Sequence, residues 1–137
     1  MAKGNKYWTG SKGRIWINDV SYAECYKAEM KRTNNYEEIP DPEGNGMVQI
    51  PNGYSIAGSV TIRKTGNEQI LKELKTDKNG DLEISVIIKE ENALTGQMER
   101  VKYIDVTVDE FPLSQYESRT VTEIELPLKA RDYKVLQ

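Results

Sequence analysis

Apolar and polar residues alternate with a period of two along most of this chain, and only Asn67–Thr76 carries a helical rhythm instead. Alternation of that kind belongs to half-buried strands, whose successive side chains point to opposite faces. A domain made of long strands has sheet edges, and edges must pair with something or be hidden. The chain has no histidine and one cysteine, Cys25. The sequence therefore directs attention to what the chain builds or binds, rather than to what it converts.

At 137 residues the chain fits one domain, residues 1–137. Hydrophobic residues make up 37% and charged residues 30%. That apolar fraction is low, and a sheet with one wet face explains it. The net charge of −3 argues against a general nucleic-acid binder. Charge is unevenly spread. Residues 1–32 hold seven Lys/Arg against three acids, whereas residues 33–62 hold Glu37, Glu38, Asp41 and Glu43 and no base. A basic segment followed by an acidic one suits head-to-tail contact between copies, and a solvated, unevenly charged surface explains it equally well. A single cysteine forms no internal disulfide, and the start of the chain does not read as a signal peptide, so folding in a reducing cytoplasm is expected. No apolar run approaches membrane-spanning length.

Residues 1–12 read as a polar N-terminal arm that docks through Tyr7 and Trp8. Arg14–Ile17 reads as a short strand and Asn18-Asp19 as a tight turn. Val20–Arg32 reads as one long strand, with Val20, Tyr22, Tyr26, Ala28 and Met30 on one face. Its Ala, Glu, Lys and Met content also suits a helix, but the period and the tyrosines favour a strand. Thr33–Pro51, with three prolines and two glycines, reads as an extended loop or loose hairpin that orders against a partner. Its apolar anchors are Ile39, Met47, Val48 and Ile50. Gly53–Thr65 is a second long strand, in which Gly58 marks a bulge or a close backbone approach. Asn67 is the expected helix cap, and Ile70, Leu71 and Leu74 form its apolar stripe. Leu82–Lys89 and Gln97–Val108 read as an antiparallel hairpin, Thr120–Leu128 as a closing strand, and residues 129–137 as a sticky tail.

Little of this carries chemistry. Without histidine the common catalytic triads are excluded. Cys25 lies mid-strand with no activating neighbour and reads as a structural thiol. Asp41–Gly46 begins like a calcium loop, but its twelfth position is Asn52 and not the bidentate glutamate such a loop needs. The carboxylate pairs Glu37/Glu38, Glu90/Glu91 and Asp109/Glu110 lie in loops or at strand ends. Tyr7, Trp8 and Trp16 among lysines suggest a base-stacking platform, although Trp16 reads more naturally as core. No catalytic, metal or cofactor residue is assigned, and no enzyme activity is expected.

The order of elements is itself informative. A Trp-containing first strand (Gly13–Ile17) is followed by a long strand, an irregular loop, the strand Tyr54–Ile62, Gly58–Gly66 leading into one helix, and a final hairpin plus strand. Over essentially the whole chain this resembles the tail tube (core tail) proteins of contractile phage tails, defective prophages and phage-tail-like bacteriocins. The resemblance implies a mainly β fold, a small antiparallel barrel or sandwich with a flanking helix at about 67–76 and a long extended loop at about 33–51.

It also implies a structural subunit. Six copies would close into a ring, and rings would stack into a hollow tube that punctures the target envelope and conducts DNA in phages. The partners would be further copies of itself and the sheath, baseplate and tail terminator proteins. The particle would be assembled in the host bacterial cytoplasm. Inter-subunit contacts are expected at Tyr7, Trp8, Tyr36, Glu37, Glu38, Ile39, Met47, Val48 and Ile50. Acidic lumen residues are expected among Glu83, Glu99, Asp105, Glu123 and Glu125, because DNA phosphates slide past like charge. The alternative is a monomeric ligand- or peptide-binding β-barrel, which needs an apolar cavity.

Overall fold

The computed structural model describes residues 7–9, 13–92 and 94–136. The lysines and glycines of the N-terminal arm, Lys3, Gly4, Lys6, Gly10 and Lys12, lie outside them. Seven strands and one helix follow in the order β1 (Arg14–Ile17), β2 (Val20–Ser21), β3 (Cys25–Pro40), β4 (Met47–Arg63), α1 (Gln69–Thr76), β5 (Val86–Glu91), β6 (Met98–Val108) and β7 (Glu123–Val135). They form one antiparallel sheet ordered β2-β1-β5-β6-β7-β4-β3. The sheet is not closed. It wraps far enough that β1, from one side, and β4 and β7, from the other, bury side chains in a single cluster. Ile15, Ile62, Ile124, Leu126, Val60, Val86 and Val106 are almost fully enclosed there. Each such side chain contributes roughly 1.5–3 kcal/mol. The inside of the wrap is thus filled with side chains, not hollow.

The local chemistry explains most boundaries. Asn18 and Asp19 both take left-handed backbone angles (φ 49° and 68°), as the tight turn between β1 and β2 requires. The expected strand Val20–Arg32 is broken instead at Tyr22–Glu24, where the Cys25 N–H donates to the Tyr22 carbonyl at 3.3 Å. A register shift between Cys25 and Lys27 then leaves Tyr26 as the extra residue. Cys25, Ala28 and Met30 consequently pack on the core, while Tyr26 and Val20 are exposed. Opposite Met30, Gly58 sits where an added Cβ would collide with the Glu29 carbonyl oxygen and lie 2.7 Å from the Met30 Cα. That is the close approach expected of it.

The helix begins at Gln69, with Glu68 and not Asn67 at its N-cap, and no side chain bonds the first turn in the usual capping manner. Two other groups take over. The buried Tyr22 hydroxyl accepts the Ile70 N–H at 2.8 Å. The Glu68 carboxylate turns back and accepts the N–H groups of Thr65 (2.5 Å) and Gly66 (3.0 Å) and the Thr65 hydroxyl (3.1 Å). Ile70, Leu71 and Leu74 then meet the sheet on one stripe, as the spacing requires.

Three further boundaries differ from expectation. β5 starts at Val86, although Ile84 is buried and its carbonyl still accepts the Val106 N–H at 3.0 Å. Residues 129–135 continue β7 in register with β6 instead of forming a tail. Residues 33–51 form the hairpin of the two expected alternatives and not the long loop. β3 runs on to Pro40, β4 starts at Met47, and the true loop is 41–46.

Candidate assembly surfaces

The outer half of the β3–β4 hairpin projects from the body as an arm. β7 pairs with β4 only over Ile56–Arg63, so Met47–Ser55 has a neighbour on one side alone, and β3 pairs only with β4. Asp41 closes the tip. Its N–H donates to the Gly46 carbonyl at 3.1 Å, and its carboxylate accepts the Glu43 N–H at 3.0 Å. The calcium-like run is therefore a hairpin turn. Directly opposed residues share a face, so Glu37, Ile39, Val48 and Ile50 form one side of the arm. Tyr36, Glu38, Pro40, Met47, Gln49 and Pro51 form the other, where Gln49 donates to Glu38 at 2.6 Å. Both faces are apolar and exposed: Tyr36 is 52% and Met47 54% accessible. A two-stranded ribbon on its own is marginally stable in water. The seven contact candidates expected in residues 36–50 are thus brought together on one element.

A polar network braces the base of the arm. The Arg32 guanidinium lies 4.2 Å from the Tyr54 ring centroid and donates from Nη1 to the Tyr133 hydroxyl at 2.7 Å. The Tyr54 hydroxyl donates to Asp132 Oδ1 at 2.6 Å, and the two tyrosine rings meet edge to face. The Tyr54 hydrogen bond, joined by the Tyr133 N–H, holds the Asp132 carboxyl below its usual range.

The sheet face turned away from the core carries a basic patch. In register, Arg14 opposes Lys89, which opposes Arg100. In the next row Trp16 opposes Ile87, Ile87 opposes Lys102, and Lys102 opposes Lys134. Trp16 is therefore outside the core, contrary to expectation, and its ring lies 5.7 Å from the Arg100 guanidinium. One carboxylate, Glu91, reaches the patch, 3.8 Å from Lys89. The Arg100 Nε–H is buried and has no acceptor among the described residues. Of these residues, only Arg14 and Trp16 belong to the segment expected to present cations.

The remaining candidates disperse. Trp8 lines a cleft with Gly13, Thr9, Glu90 and Glu99, and Trp16 is not among the residues lining it. Glu99 opposes Glu90. Burial, and then the neighbouring Glu99 charge, push the Glu90 carboxyl up. Glu123 and Glu125 share a face of β7 opposite Arg63 and Thr61, and Tyr26 donates to Glu123 at 2.6 Å. Asp105, in a left-handed conformation, pairs with Arg131. Glu83 is exposed ahead of β5. Cys25 is half-buried, and burial raises its thiol's pKa. Among the described residues no group of three His, Cys, Asp or Glu is placed to hold a metal, and no helix is long and apolar enough to cross a membrane.

The arm and the open sheet thus leave apolar side chains and strand edges uncovered among the described residues. The family model described as "Phage tail tube protein" matches residues 1–137. The chain belongs to the phage tail tube family. Among curated protein sequences none matches it. Solved structures agree on the fold of this tail tube protein. It is similar to a chain of the sheath/tube terminator of an extracellular contractile injection system (PVC), with TM-score 0.76 and 10% identity over 94% of this chain and 96% of that one. It is similar to the tube-terminating cap of the anti-feeding prophage (AFP), with TM-score 0.74 and 11% identity over 96% and 91%. A chain of the PVC sheath–tube complex gives TM-score 0.74 and 9% identity over 95% and 91%. A tail tube protein is a structural component of phage-like tails and not an enzyme.

Proposed function

We propose that this chain is the repeating subunit of the inner tube of a contractile phage or phage-like tail. Six copies close into a ring, and rings stack into a hollow tube inside a sheath, between a baseplate and a terminator. The tube assembles in the bacterial cytoplasm, is driven through the target envelope, and in a DNA-carrying particle passes DNA. The observation that carries this reading is the β3–β4 arm, which leaves Tyr36, Ile39, Met47, Val48 and Ile50 exposed among the described residues. Burying a few of these on a neighbour contributes roughly 1.5–3 kcal/mol each, enough to offset the cost of ordering the ribbon. Ring closure also removes the sheet edges at β2 and β3 that would otherwise aggregate. Glu123 and Glu125, side by side on β7, are the lumen candidates that fit best, since both are exposed on one strand face.

The arm can be removed without disturbing the body. Deleting Tyr36–Asn52 joins Asn35 to Gly53, an Asn-Gly turn between the paired residues Asn34 and Tyr54, and Gly53 already has φ 80°. The shortened chain is expected to melt within a few degrees of the full chain and to remain a small species in sedimentation velocity where the full chain forms large assemblies. Assembly of the shortened chain at the same concentration would contradict an arm-dependent tube.

A further inference from the structure

We propose that the basic outer face of β1, β5, β6 and β7 is the seat for the β3–β4 arm of a second copy of this chain. This rests on the tube reading and names the surface that the arm meets. Charge is the first argument. The arm segment, residues 33–62, contains four acids and no base, while Arg14, Arg100, Lys102 and Lys134 have no ion-pair partner among the described residues. Shape chemistry is the second. Trp16 and Ile87 run through the cations as an apolar strip, and Ile39, Val48 and Ile50 run beside Glu37 as an apolar strip on one face of the arm. Each surface therefore offers the other an apolar centre with charge of the opposite sign around it. The Arg100 Nε–H is the third, a buried donor that lacks an acceptor among the described residues. Leaving such a donor unmet is costly, so Arg100 gains by turning its guanidinium outward to an arm carboxylate when the arm is seated.

The contact cannot be satisfied within one copy as it stands, because Ile39, Val48 and Ile50 remain about two-fifths accessible. An arm docked on a different surface of a neighbour leaves a free arm at one end of the series and a free seat at the other. Such a heterologous contact propagates when repeated, which is what stacking requires. A nucleic acid is the competing occupant. It would use the cations but not the apolar strip, and the Trp16 ring it would stack on already lies beside Arg100.

Charge reversal tests the seat. Lys102→Glu with Lys134→Glu, and separately Glu37→Lys with Glu43→Lys, are each expected to raise the critical concentration for assembly by about tenfold or more at physiological salt. The chain carrying all four substitutions is expected to return to within about threefold of wild type, since the pairing is restored with its signs exchanged. Circular dichroism checks that each variant folds. If wild type forms tubes and neither reversal shifts the critical concentration, or the fourfold chain shows no recovery, the seat is overturned and the tube reading stands. If wild type forms no assembly even when seeded, both fall. If the free chain binds a short DNA duplex through Lys102 and Lys134 while the reversals leave assembly unchanged, the face is a polyanion site and the proposal is overturned.

Discussion

Glu68 shows how far a single side chain can depart from its apparent role. By position it sits one residue before the helix, yet its carboxylate folds back on Thr65 and Gly66 instead of capping the first turn. Burial opposes its ionisation, but the Thr65 and Gly66 N–H groups and the Thr65 hydroxyl outweigh that and hold its pKa below the usual value. A lowered folded pKa means that the stabilisation is present above the unfolded value and is lost as pH falls through the folded one. Glu68→Gln is accordingly expected to cost about 1–2 kcal/mol at neutral pH, with the difference shrinking in acid, as followed by thermal melts across pH. The sequence could place an acid there but could not say which amides it would find, because that depends on the left-handed turn at Gly66 (φ 93°). Asn18-Asp19 and Gly58 were legible for the opposite reason. Their demands are local, set by backbone angle and by lack of a Cβ. Trp16 was not legible, since its alternation with Ile15 and Ile17 says that it lies on the other face but not whether that face is covered.

At the scale of elements the helix stripe and the inner faces of β4 and β7 follow directly from periodicity. The arm does not. Prolines and glycines between 40 and 53 signal breaks, and in a compact domain such signals mean a loop. Here the strands are edge strands, where a proline costs no ladder bond if its nitrogen faces outward, so Pro40 and Pro51 are accommodated. The tail was misread for a related reason. Residues 129–137, with Tyr133, Val135 and Leu136, read as a sticky tail because nothing local says where they stick, but β6 offers an edge that β7 fills. The arm's independence from the body has a dynamic consequence. With β7 absent beside Met47–Ser55, its amides are held by one neighbouring strand only. In hydrogen–deuterium exchange on the free chain, residues 36–51 are expected to exchange orders of magnitude faster than Val60, Ile62, Ile124 and Leu126, and to become protected on assembly. Equal protection of arm and core in the free chain would show that the arm already has a partner.

At the scale of the whole molecule the decisive features are those that only the sheet order reveals. Arg14, Lys89, Arg100, Lys102 and Lys134 come from four strands spread over most of the chain, and their common face follows from register, which no single strand encodes. The single wrapped sheet likewise needs the crossovers from β1 to β5 and from β4 to β7 to be known. Element order was enough to suggest a tail tube protein, and the family match over residues 1–137 bears that out. The most direct measurement is electron microscopy of the purified full chain over a concentration series, with and without a preformed tube or baseplate as seed. Hollow rods of uniform width built from six-fold rings are expected. Dispersed single particles at every concentration, seeded or not, would contradict the tube.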